Sequence, residues 1–78
     1  MNQEIEDRIR SIMSAVLAIP AGEINEDTSP ESIESWDSMK HMNMVVGLEE
    51  EFDIEFSDDD IMDMNSFVLI VEAVSARV

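Results

Sequence analysis

The segment that decides the fold is Trp36-Asp37-Ser38-Met39-Lys40-His41-Met42-Asn43-Met44-Val45-Val46-Gly47-Leu48-Glu49-Glu50-Glu51-Phe52. Met44, Leu48 and Phe52 recur at i, i+4 and i+8, which puts them on one core-facing line of an α-helix. Met39, Met42 and Val46 form a second line beside it. Asp37 is a helix N-cap residue, worth about 1 kcal/mol. The helix is therefore expected to begin at Asp37 or Ser38 and run to about Phe52. Gly47 lowers helix propensity in its interior and is read as a place of close packing. Ser38 thus stands in the first helical turn with its hydroxyl outward.

Working outward, Ile5, Ile9, Ile12, Met13, Val16 and Leu17 recur at three- and four-residue steps and predict a first helix from about Glu4 to Ala18. Glu4, Glu6 and Asp7 suit the positive end of its dipole, and Pro20 and Gly22 end it. Residues Ala21 to Trp36 form a long connection in which Ile24, Ile33 and Trp36 can pin the loop to the core. Ser29-Pro30-Glu31 reads as a short helical turn capped by Ser29. After Asp53, Ser57-Asp58-Asp59-Asp60 resembles a capping box opening a short helix from Asp58 to Met62. Asn65 or Ser66 can cap a last helix, Phe67 to about Ala76, with Phe67, Ile70, Val71 and Val74 as its stripe. No strand pattern is visible. The expected fold is all-α: one domain, residues 1–78, a small bundle of three longer helices and one short helix, with a long loop between the first two.

Size and charge narrow the function classes. A chain of 78 residues buries roughly 60 to 65 % of the surface its unfolded form exposes, a small core with little room for a deep substrate cavity. It has no cysteine, so disulfides and thiolate metal sites are excluded, and a cytoplasmic location is permitted. No apolar run approaches the roughly 18 residues of a membrane span, and no signal-peptide pattern opens the chain. Acidic residues number 19 and basic ones 4, a net charge of −15. That argues against nucleic acid and against anionic membranes. It favours partners with basic patches. Crowded carboxylates also predict raised folded-state pKa values and a fold that gains stability from added salt.

The residues offer little catalysis of their own. Ser38 needs a base within hydrogen-bond reach to act as a nucleophile. His41, the sole histidine, lies three residues on, but without an evident pocket or oxyanion hole it reads as a solvated surface residue. Asp53, Glu55, Ser57, Asp59 and Asp60 echo a calcium loop. Counting from Asp53, however, Asp58 stands where the loop needs glycine and Met64 where it needs glutamate. No metal site and no catalytic residue is assigned. A serine hydroxyl at a helix start is a poor nucleophile but a good attachment point.

Taken together, Asp37-Ser38-Met39, the helix through Leu48-Glu49-Glu50-Glu51-Phe52, the turn Asp53-Ile54-Glu55-Phe56 and the acidic cap Ser57-Asp58-Asp59-Asp60-Ile61 resemble the acyl carrier protein family over essentially the whole chain. The resemblance implies that a phosphopantetheinyl transferase attaches 4′-phosphopantetheine from coenzyme A to Ser38, and that the arm carries an acyl group as a thioester. It implies a monomeric carrier rather than an enzyme, serving acyl-transferring or acyl-modifying enzymes of fatty acid or related lipid metabolism. Glu49, Glu50 and Glu51 match the acidic end of the family's docking helix, with Met39 and Met42 as its apolar part or as core. Met39 replaces the usual leucine, Lys40 and Asn43 stand where the fatty-acid members usually carry acids, and Trp36 is bulkier than usual. These departures point to a specialised, stand-alone carrier. The alternatives are an aminoacyl or peptidyl carrier, or an unmodified acidic interaction module.

Overall fold

The computed structural model describes residues 3–78; Met1 and Asn2 of the expected 1–78 domain lie outside the described residues. Four α-helices follow one another: α1 Gln3–Leu17, α2 Ser38–Phe52, α3 Asp58–Asp63 and α4 Phe67–Ser75. No strand occurs among the described residues. This is the expected all-α bundle, three longer helices and a short one. The Cα trace spans 28 × 26 × 19 Å. Its shortest dimension is about two helix diameters, so the core is a single layer of side chains between helices.

That core follows the helical period. Ile9, Met13 and Leu17 of α1 meet Met44, Val45 and Leu48 of α2 and Phe67, Ile70, Val71 and Val74 of α4. Gly47 faces α1, where an added Cβ would stand 3.2 Å from Ile12 Cγ2. The glycine therefore permits the close approach of the two helices. The second line of α2 turns away from the core: Met39, Met42 and Val46 are exposed, Met39 by 76 %.

The helix ends are set by local chemistry. Asp37 Oδ1 accepts the Lys40 backbone N–H at 2.8 Å, which caps α2. Ser57 and Asp60 exchange side-chain and backbone bonds in the anticipated capping box of α3. For α4, Ser66 rather than Asn65 provides the cap, accepting the Leu69 N–H at 3.2 Å. Both α1 and α2 stop at a non-glycine residue with positive φ, Ala18 at 58° and Asp53 at 54°. The next N–H then bonds back into the last turn, Ile19 to the Ser14 carbonyl and Ile54 to that of Glu49. This is a Schellman-type closure, and at α1 it acts before Pro20 and Gly22.

The long connection is tied down at several points. Ile24 and Trp36 are buried and Ile33 is half-buried, as their spacing suggests. Ser29-Pro30-Glu31 is a turn and not a helix. The N–H groups of Ser32 and Ile33 bond the Ser29 carbonyl, and the Ser32 hydroxyl, not Ser29, accepts the Ser29 N–H. A 3-10 turn at Ala21–Glu23 takes up the helical character instead. Thr28 is buried; its hydroxyl accepts the Asn25 N–H at 2.8 Å and its carbonyl accepts the N–H of Phe67 at 3.0 Å. The Ser35 hydroxyl bonds the Leu17 carbonyl at 2.8 Å. These ties fix the direction in which the chain enters α2, and so fix Ser38.

Candidate functional site

Ser38 is exposed and is the first residue of α2. Its hydroxyl enters no hydrogen bond among the described residues. The first N–H groups of a helix have no intrahelical partner. Asp37 occupies that of Lys40 and leaves those of Ser38 and Met39 at the positive end of the dipole. A phosphate ester on Ser38 suits this position, since helix N-termini favour negative charge.

His41 stands near Ser38 in sequence but is engaged elsewhere. It is half-buried, not the solvated surface residue its helix position suggests. Its Nδ1 accepts the Trp36 indole N–H at 3.1 Å, and its Nε2 lies 2.7 Å from the Ile61 carbonyl of α3. An indole nitrogen only donates. The Nδ1 is therefore the acceptor and Nε2–H donates to Ile61. With both ring nitrogens committed, His41 presents no free nitrogen to Ser38. The Trp36 and His41 rings stack, their centroids 6.1 Å apart and their planes 21° from parallel.

An open groove of about 530 Å³ borders Ser38, running between the start of α2 and α3. Trp36 and His41 line it, with Met42 and Met62 on its sides. Ser38 therefore lies beside a surface channel and not within an enclosed pocket.

The acidic end of α2 is partly used inside the fold. A Glu49 side-chain oxygen accepts the Phe56 N–H at 2.9 Å and holds the turn after α2. Glu51 is bound by Arg8 at 2.7 Å. Glu50 has no bonded partner among the described residues. The outward line of α2 thus reads Met39, Asn43, Val46, Glu50, with Met42 beside it. It carries one carboxylate. Lys40 is the one basic side chain among the described residues without an ion-pair partner.

Asp60 departs from the crowding expectation. The Ser57 backbone N–H and hydroxyl, with a smaller contribution from the Arg77 guanidinium, hold its carboxyl below the usual carboxylate value. Hydrogen bonds to the charged form outweigh the desolvation that opposes them. Asp53, Glu55 and Asp59 are exposed, and no group of three potential metal-ligating side chains converges among the described residues.

Comparison with known proteins agrees with this geometry. The solution structure of a holo acyl carrier protein from Geobacter metallireducens superposes with a TM-score of 0.84 at 24 % identity, over 96 % of this chain and 86 % of that one. At that identity the likeness speaks for the fold. Residues 7–74 match the family model described as a phosphopantetheine attachment site. The match spans α2 with its capped start and exposed serine. The chain belongs to the phosphopantetheine attachment family, whose members are carriers of a covalent 4′-phosphopantetheine and not themselves catalysts.

Proposed function

We propose that residues 1–78 form one carrier domain that bears its 4′-phosphopantetheine on Ser38 and serves acyl-transferring or acyl-modifying enzymes of a specialised biosynthetic pathway in the cytoplasm. The observation that carries this reading is an exposed, unbonded serine hydroxyl at the capped N-terminus of α2, beside an open groove and with no free nitrogen of His41 presented to it. Attachment needs a transferase to supply the base. Ser38 Oγ gives up its proton and bonds the β-phosphorus of coenzyme A, the pyrophosphate bond breaks, and adenosine 3′,5′-bisphosphate leaves. When bound, the group supplies the thiol that this cysteine-free chain lacks, so that an acyl group can be held as a thioester.

The chain's own residues do the rest. Asp37 orders the turn that presents Ser38, and the N–H groups of Ser38 and Met39 would hold the phosphodiester. Met39, Met42 and Val46 offer flexible apolar contact to a partner, while Glu50 and the overall charge draw in basic surfaces. The near-neutral line next to Ser38 supports a dedicated pathway over general fatty acid synthesis, because it leaves little charge for a broadly shared docking code.

The test is intact-protein mass spectrometry after incubation with coenzyme A, magnesium and a broad-specificity phosphopantetheinyl transferase. The wild type gains one phosphopantetheine and Ser38→Ala gains none. A gain on the variant moves the site. No gain on either protein, with a control carrier modified in parallel, returns the chain to an unmodified interaction module.

A further inference from the structure

The groove beside Ser38 and the core behind it are separate spaces. Trp36, His41, Met42 and Met62 line the groove. The fully buried side chains Met44, Leu48, Met64 and Ile70 do not reach it. The half-buried imidazole of His41 lines the groove and bridges α2 to α3.

The bridge has two bonds that depend on one ring. Ile61 lies in the last turn of α3, where carbonyls have no partner within the helix. The His41 Nε2–H satisfies that carbonyl at 2.7 Å. The other nitrogen satisfies the indole N–H of Trp36, a residue only 5 % exposed. Parting α2 from α3 at this seam breaks the first bond, and any turn of the ring to follow α3 breaks the second. A buried indole donor is then left unpaired, which is costly. The short α3, six residues long, loses a C-terminal partner at the same moment. A helix of that length has little stability of its own, so its position depends on such ties.

The geometry points to the Trp36–His41–Ile61 bridge as a bolt on the α2–α3 seam. It keeps the acyl cargo of Ser38 in the outer groove and out of the bundle, and so selects short or polar acyl groups over long alkyl chains. The groove suits such cargo: an indole and two methionines give apolar contact, and Asp37 and Asn65 put polar groups on the same lining. The interior of a packed protein admits an alkyl chain only if its side chains move apart, and the groove beside Ser38 is bounded by the bridged residues His41 of α2 and Ile61 of α3. His41 and Trp36 act as positioning residues: neither is needed for attachment itself. The inference rests on Ser38 as the attachment point.

The experiment compares acetyl with octanoyl cargo in the same protein, so that any general effect of a substitution cancels. Wild type, His41→Ala and Trp36→Phe are loaded from the two acyl-coenzyme A compounds by a broad-specificity transferase. Intact mass verifies the loading, and failure to load is a failure of the carrier reading alone. Methyl spectra of 13C-methionine protein then report position, because Met42 and Met62 border the groove while Met44 and Met64 lie in the core. In the wild type, lengthening the cargo shifts Met42 and Met62 and leaves Met44 and Met64 in place. In His41→Ala the same lengthening shifts Met44 and Met64. Core shifts in the octanoyl wild type overturn the proposal, as does a folded His41→Ala whose core methyls stay unmoved. If His41→Ala loses its helical circular dichroism, Trp36→Phe, which removes the indole N–H and keeps an aromatic ring, decides by the same criterion.

Discussion

At Asp37 and Ser38, adjacent residues divide two tasks. Asp37 stabilises the start of α2 through the 2.8 Å bond to the Lys40 N–H, and Ser38 keeps an exposed, unbonded hydroxyl, the attachment point proposed above. Asp37→Ala is expected to cost about 1 kcal/mol, lowering the melting midpoint by about 4–8 °C for a domain of this size. Ser38→Ala, an exposed change with no bond lost, is expected to stay within about 0.5 kcal/mol. Thermal melts followed by circular dichroism check both, and an equal loss in the two variants refutes the division. The Asp37 cap and the place of Ser38 in the first turn of α2 were legible in the sequence because a cap is a local device. His41 was not. Its partners lie five residues back and twenty residues ahead, and only the folded seam brings them to one ring. Thr28 was missed for a similar reason, since its carbonyl meets Phe67 across the bundle.

The same contrast holds between elements. The three longer helices and the short one follow from a 3.6-residue apolar period and from Asp37, Ser57 and Ser66, all readable without the fold. The long connection is less readable. Its helical turn forms at Ala21–Glu23, where Glu23 and Ile24 donate back to Pro20 and Ala21, and not at Ser29, where a turn suffices. The ends of α1 and α2 hold a further consequence. A non-glycine residue in the left-handed region is penalised by about 1–2 kcal/mol, partly offset by the greater unfolded-state freedom of glycine. Ala18→Gly is therefore expected to raise stability by about 0.5–1 kcal/mol. Asp53→Gly should give less, because aspartate tolerates this region better than alanine. Chemical denaturation midpoints rank the two, and a destabilised Ala18→Gly contradicts the strain argument. On the outward face of α2, truncating Met39 or Met42 to serine removes apolar contact worth about 1.5 kcal/mol if buried by a partner. That corresponds to a roughly tenfold rise in KM for a docking transferase, with the melt unchanged. Glu50→Gln should change KM by less, which steady-state kinetics at physiological salt will show.

Across the whole molecule, the few cations are used as staples. The chain has three phenylalanines, and an arginine lies over each: Arg8 over Phe52 at 4.5 Å, Arg10 over Phe67 at 4.7 Å and Arg77 over Phe56 at 5.0 Å. Each also donates to a backbone carbonyl distant in sequence: Arg8 to Glu51, Arg10 to Ile24 and Arg77 to Glu55. The remaining carboxylates repel one another under a net charge of −15. At neutral pH added salt screens that repulsion, so the melting midpoint should rise with salt. As pH falls from neutral the net charge shrinks and repulsion relaxes, again favouring the fold. Asp60 works in the opposite direction. Its folded-state pKa is depressed by Ser57 and then Arg77. Its contribution is therefore fully present above the unfolded value and is lost as pH drops through the lower folded one. This contribution to stability should decline in acid. Asp60→Asn cannot be protonated in that range and keeps no ion pair with Arg77. It should be less stable than the wild type at neutral pH, yet lose less stability between about pH 5 and about pH 2.5. Melts of the two proteins across that interval decide the point: parallel acid limbs would remove Asp60 from the account and leave the decline to the other carboxylates.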